Sequence, residues 1–215
     1  MADDRIDPLS GHDEFDSMIA SFADETDPDK AEIIRQGIWD RFGTNGTVLI
    51  SDMASFSSTS RKLGVCLFLK LIHRARQLVG PEVERNNGTL IKCDADNCYA
   101  FFKEPADAIN ASFDISAALY KLNDLYGMAE QIVLSLGIDY GRVLLIGDLD
   151  FYGDPVNTAS KLGEDLAVRA ETLITERTLE RANFEVPDLA ERMVARISEI
   201  EIKYIRLPMT ESSRT

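Results

Sequence analysis

The chain has 215 residues, 45% of them hydrophobic and 28% charged, which suits one globular domain of catalytic size with an appendage. A net charge of −14 argues against nucleic acid or an anionic membrane surface as partner, since both need clustered Lys and Arg. With only His12 and His73 present, the composition speaks against a Ser-His-Asp triad or a His-rich metal centre, so chemistry must rest on carboxylates, cations and backbone groups.

Residues 1–30 carry ten acids against Arg5 and Lys30. Such a segment, with few large apolar residues, reads as a solvated, flexible arm over 1–26. Asp27 and Pro28 then form an N-cap and N1 pair, and a helix is predicted to Phe42 with Ile34, Ile38 and Phe42 on one stripe, Trp39 nearby, and Gly43 to Gly46 ending it. It reads as packing on the domain, with a relay from an upstream regulatory domain or protein as the alternative. Val48, Leu49 and Ile50 follow as a strand apolar on both faces, and Asp52 appears where that strand runs out.

Ser57 to Ser60 offer N-caps for a helix running through Val79, with Leu63, Cys66, Leu69, Ile72 and Val79 inward and a kink or restart at Gly80–Pro81. Its most apolar stretch, GVCLFLKLI, is cut by Lys70 and is too short for a membrane span; with no signal peptide visible, a soluble cytoplasmic protein is expected. After a short continuation to Asn87–Gly88, two strands, Leu90 to Cys93 and Cys98 to Phe102, are closed by Asp94, Ala95, Asp96 and Asn97, residue types that favour tight turns. Asp52 and Asp96 thus sit at adjacent strand ends. Two such carboxylates can hold hard divalent cations, with phosphate filling the remaining positions. Taken one at a time, Asp52 reads equally well as a helix cap and Asp96 as a turn residue. Cys66, Cys93 and Cys98 are odd in number, lie in apolar surroundings and lack paired metal-ligand spacing, so they read as buried free thiols.

Pro105 opens a helix with Ile109, Ser112, Ile115, Leu119 and Leu122 in phase, up to Gly127. Ile132 to Ile138 alternate and Val143 to Ile146 run unbroken, predicting two strands with a turn at Asp139 to Gly141. Asp154 is the expected N-cap of the next helix with Pro155 at its first position, and Asn157 and Lys161, four residues apart, share its face. Thr172 to Thr175 reads as a strand, Glu176 to Ala182 as a short helix, and Ile197 to Leu207 as one or two terminal strands before a fraying tail. The order strand, helix, hairpin, helix, strand predicts an α+β fold of the ferredoxin-like, split βαβ kind, with helices over one face of a mostly antiparallel sheet.

Four motifs stand in order: ISDMASFS, GTLIKCDADNCYAFF, GIDYGRVLLIG and DFYGDPVNTASKL. Over roughly Thr47 to Leu207 the chain resembles the catalytic domain of class III adenylate and guanylate cyclases. The implied division is an acidic arm (1–26), a lead-in helix (27–43), a cyclase homology domain (44–207) and a tail (208–215).

By that resemblance Asp52 and Asp96 are the metal-binding aspartates, with the Met53 carbonyl as an added ligand, for two Mg²⁺ or Mn²⁺ ions in two-metal catalysis. Backbone N–H groups of Phe56, Ser57 and Ser58 would receive phosphate oxygens. Lys92 and Asp150 match the pair that reads adenine, where Lys donates to a ring nitrogen and Asp accepts from the 6-amino group; guanylate cyclases typically carry Glu and Cys there. Asn157 matches the residue that orients the ribose. The resemblance therefore implies ATP as substrate, cyclic AMP and pyrophosphate as products, and a homodimer whose active sites are shared across the interface.

The chain also departs from the pattern. Lys161 stands where the family has its transition-state arginine, Ala95 replaces the glycine before the second aspartate, and the 147–150 loop is several residues short. Ser198 falls near the family's triphosphate lysine, leaving Lys203 and Arg206 as substitutes. These departures define the alternative, a degenerate cyclase-like module that binds nucleotide or a partner without chemistry. A phosphatase starting from Asp52 lacks the acid two residues on, where Ala54 stands.

Overall fold

The computed structural model describes residues 8–53, 64–168, 170–197 and 199–209. Helix α1 (Pro8–Asp24) and helix α2 (Pro28–Phe42) precede strand β1 (Gly43–Met53). They are followed by α3 (Val65–Arg85), β2 (Gly88–Asp94), β3 (Asn97–Phe102), α4 (Pro105–Asn123), β4 (Leu134–Ile146) and the short β5 (Asp150–Tyr152). Helix α5 (Asp154–Ser160) runs into a π-helical turn (Lys161–Leu166); β6 (Glu171–Thr175), α6 (Glu176–Ala182), β7 (Glu191–Ile197) and β8 (Ile200–Pro208) complete the chain. Among the described residues no helix is long and apolar enough to cross a membrane.

The sheet runs β2-β3-β1-β4-β6-β8-β7, with β5 folded back on β4. Its pairs are antiparallel except β4 with β6. The first four strands have the order expected of a ferredoxin-like unit. Because side chains alternate along a strand, Leu49, Leu136 and Ile138 enter one core with Leu71, Ile72 and Ile109 from α3 and α4. Val48, Ile50 and Val143 point the other way and pack with Phe151 and Ala159. Helices therefore cover both faces, a correction to the single layer that element order suggested. Helix α5 comes so near the sheet that a Cβ on Gly137 would lie 1.9 Å from the Ala159 carbonyl oxygen. Only glycine permits that approach.

The acidic segment read as a flexible arm is helical over α1. Phe15 is buried against Ile38, Phe42 and Ile146, with Met18 alongside. Charge count misses this, since an amphipathic helix needs only one apolar stripe. Helix α2 follows expectation: Asp27 accepts hydrogen bonds from the Asp29 and Lys30 N–H groups, and Ile38 and Phe42 are buried.

Helix α3 buries Ile72 and Val79 as expected, but the rest of its inward face differs. Phe68, Leu71, Ile72, Ala75, Val79 and Val83 are buried, whereas Cys66 and Leu69 are exposed; Leu63 and the capping serines lie outside the described residues. GVCLFLKLI is apolar nearly all round, so periodicity alone does not choose the face. The helix also continues through Pro81 to Arg85 without restarting.

Asp139 to Gly141 do not turn. β1 pairs with β4 from Gly43↔Leu144 to Met53↔Leu134, which holds β4 straight through that point. The Asp139 side chain is wholly buried instead. It accepts from Arg177 through both carboxylate oxygens, from the Thr175 hydroxyl at 2.6 Å and from the Tyr140 N–H at 2.9 Å. The turn comes later, at Gly147 (φ 54°), where the short loop returns β5 onto β4. Cys93 and Cys98 are not free thiols: they face each other across the β2–β3 hairpin, Cα to Cα 4.2 Å, and form a disulfide. Their five-residue spacing around a predicted turn was the available signal.

Candidate active site

Pairing of Ser51 with Cys98 sets the ends of β1 and β3 side by side, so that Asp52 neighbours the β2–β3 turn carrying Asp96. Two side chains from elsewhere hold that turn. Arg76 of α3 donates to the Ala95 carbonyl at 2.8 Å and to the Cys93 carbonyl at 3.4 Å. From the π turn, Glu164 accepts from Asn97 Nδ2 at 2.9 Å and from the Ser160 hydroxyl at 2.7 Å. Neither contact is visible in sequence, since Glu164 and Asn97 are 67 residues apart.

The electrostatics are one-sided. Burial pushes the Asp52 carboxyl up to about 6, and the charges of Asp96, Glu164 and Asp165 add to the shift. Asp96 is raised as well, by burial first and by Glu164, against a lowering backbone hydrogen bond. Among the described residues no group of three or more His, Cys, Asp or Glu is gathered in metal-holding geometry. The donor set nonetheless fits a hard divalent cation: two oxygen donors carry negative charge that their neighbours repel, and water or phosphate oxygens would complete the shell. Met53, whose carbonyl the resemblance adds as a ligand, ends β1 opposite Leu134.

Ala95 holds φ at +46°, a left-handed conformation that costs an alanine roughly 1 kcal/mol and a glycine little. Ala95→Gly is therefore expected to raise the melting temperature by roughly 2–4 °C in calorimetry.

The two residues expected to read the base meet directly. Lys92 Nζ on β2 donates to Asp150 Oδ1 at the start of β5, 2.8 Å away. Asp150 also accepts from the Phe151 N–H at 2.8 Å and the Tyr152 hydroxyl at 3.0 Å. Burial acts to raise its carboxyl, but these donors, Lys92 foremost, hold it below the ordinary carboxylate value. Lys92 is raised by the same hydrogen bond, so both groups are charged at neutral pH.

Helix α5 starts one residue earlier than expected, with Gly153 as N-cap and Asp154 as its first residue. Asn157 is exposed on it and Lys161 follows at its end. Lys161 Nζ is engaged by Asp165 Oδ2 at 2.5 Å. Phe56, Ser57, Ser58 and Ser198 lie outside the described residues. Of the two substitutes for a triphosphate cation, Arg206 lies 3.3 Å from Glu171 and 3.9 Å from Glu191, while Lys203 is exposed on β8.

Comparison with solved structures places this fold. An adenylate/guanylate cyclase/hydrolase from Silicibacter pomeroyi superposes with a TM-score of 0.67, at 20% identity, over 77% of this chain and 97% of that one. The guanylyl cyclase Cya2 (TM-score 0.65, 16% identity) matches over 80% of this chain and 96% of its own. The adenylyl cyclase CyaB from P. aeruginosa (0.65, 18%) matches over 80% and 99%. The fold is that of the class III nucleotidyl cyclase catalytic domain. In this cyclase fold the central sheet is mostly antiparallel and flanked by helices, as in the structure above. No family profile and no curated protein matches the chain.

Proposed function

We propose that the protein is a nucleotidyl cyclase that converts ATP into cyclic AMP and pyrophosphate, with two divalent cations, Mg²⁺ or Mn²⁺, at a homodimer interface. The observation that carries the choice of ATP is the Lys92–Asp150 pair. Its charged ends offer a donor and an acceptor, which match the N1 and 6-amino groups of adenine; guanine presents the reverse polarity.

Asp52 and Asp96, with the Met53 carbonyl, would hold the ions. When bound, such ions activate the ribose 3′-hydroxyl as a nucleophile and neutralise the triphosphate. The chain's own groups bind and orient: Asn157 holds the ribose, Lys161 approaches the α-phosphate, and backbone N–H groups of Phe56 to Ser58 receive phosphate oxygens. In-line attack of the 3′-oxygen on the α-phosphorus forms the cyclic ester and breaks the bond to pyrophosphate. Exposed Asn157 and Lys161 suit a site completed by a second copy.

The test is an assay of purified protein with ATP or GTP plus Mn²⁺, detecting the cyclic product by mass spectrometry across a protein concentration series. Cyclic AMP rising more steeply than linearly with protein supports the reading. Nucleotide binding without product would favour the second reading, a regulatory module, which the Lys161–Asp165 ion pair itself favours by occupying the cation. Lys161→Arg is expected to raise kcat roughly tenfold, because a planar guanidinium can face phosphate with two donors.

A further inference from the structure

One contact ties the N-terminal helix to the base-reading pair. The Tyr152 hydroxyl donates to Asp150 Oδ2 at 3.0 Å, while Lys92 and the Phe151 N–H both load Oδ1. The Tyr152 ring, in turn, lies stacked on Phe15 of α1, centroids 5.8 Å apart and planes 6° from parallel. Phe15 is itself fixed, buried edge-on against Phe42 at 5.3 Å and packed with Ile38 and Ile146. Tyr152 stays 45% exposed, so it is no core residue; one ring face serves Phe15 and its hydroxyl serves Asp150.

We infer that Tyr152 is a positioning residue for purine recognition, and that α1 sets its aim through Phe15. The inference rests on the cyclase reading and extends it to the specificity of the base pocket. A carboxylate rotates easily about its last bond, so a reading Asp must be held from both sides to present a lone pair in a constant direction. Lys92 and the Phe151 N–H hold one oxygen; Tyr152 holds the other and leaves it a lone pair for the adenine 6-amino group. The same contact keeps the phenol turned away from a guanine 6-oxygen, which a released hydroxyl would be free to serve as donor. Burial and the adjacent Asp150 carboxylate push the Tyr152 phenol above its ordinary value, so it remains a donor at neutral pH.

The experiment is isothermal titration of the full chain with the α,β-methylene analogues of ATP and GTP in Mn²⁺, for the native protein, Tyr152→Phe and Phe15→Leu. Tyr152→Phe keeps the ring and its stack and loses one hydrogen bond to a charged group; affinity for the ATP analogue is expected to fall about tenfold. Affinity for the GTP analogue is expected to stay within about twofold, so the ratio collapses, which mere loosening of the fold would not produce. Phe15→Leu keeps an apolar side chain in place, and the ratio should fall in the same direction by about threefold.

An unchanged ratio in Tyr152→Phe, with the native protein binding the ATP analogue, overturns the inference and leaves the cyclase reading standing. An unchanged ratio in Phe15→Leu alone overturns the role of α1. Native protein that binds neither analogue overturns both the inference and the cyclase reading.

Discussion

Asp52→Asn is expected to lower cyclic-nucleotide formation about 10³-fold, the several kcal/mol of charge stabilisation that a bound ion supplies to phosphoryl transfer. The same change should raise the melting temperature of the protein in a chelator. In the native chain the Asp52 carboxyl is pushed from 3.8 to about 6 by burial and then by Asp96, Glu164 and Asp165. A folded-state value above the unfolded one means that the folded protein holds the proton more tightly. Stability from this group is thus full below about pH 4 and falls as pH rises through 6. At neutral pH the penalty is about 1–2 kcal/mol once solvent screening is allowed for, and Asn removes it. Calorimetry in EDTA at pH 5 and 8, with and without added Mn²⁺, checks the point. A variant that loses activity and gains stability has lost an ion site; one that loses both has lost structure.

Arg177→Met is expected to destabilise the fold by about 3–5 kcal/mol and to lower the melting temperature by roughly 10 °C. Arg177 of α6 grips the wholly buried Asp139 through both carboxylate oxygens and reaches Asp154 Oδ2 at 2.9 Å. Burial pushes the Asp139 carboxyl up, and Arg177 opposes that with charge and hydrogen bonds. Without Arg177 the carboxylate is left uncompensated in the core. The deficit should therefore be smaller at pH 5 than at pH 8, where the acid must ionise or pull a proton from solvent. The double variant Asp139→Asn, Arg177→Met should recover part of the loss in urea unfolding. Because Asp154 opens the helix that carries Asn157 and leads into Lys161, activity is expected to fall along with stability.

Much of the site could be read along the chain because its parts are local. A strand followed by Asp52, and a turn carrying Asp96, need only the periodicities of their own segments. Lys92 and Asp150 are matched through motif order, and in the structure they meet at 2.8 Å. Expectation and structure differ where a residue's surroundings come from distant segments. Asp139 and Gly141 carry turn chemistry, yet pairing with β1 along its length keeps them in a strand. The acids of α1 suggested solvation until Phe15 found Ile38 and Phe42. Cys93 and Cys98 looked like isolated thiols until register set them opposite one another.

By itself the sequence determined the strand-helix-hairpin-helix-strand order and the two aspartates at strand end and turn, since each depends on residue type and short-range spacing, while the role expected of Lys92 and Asp150 is what the family resemblance implies. Only the tertiary structure decided which residues surround them. Arg76 and Glu164 bracing the Asp96 turn, Arg177 of α6 reaching Asp139 of β4, and Phe15 behind Tyr152 are all contacts between separate elements. The physical reason is that a side chain's charge, aim and burial belong to what packs against it, and packing joins segments that local propensity leaves independent.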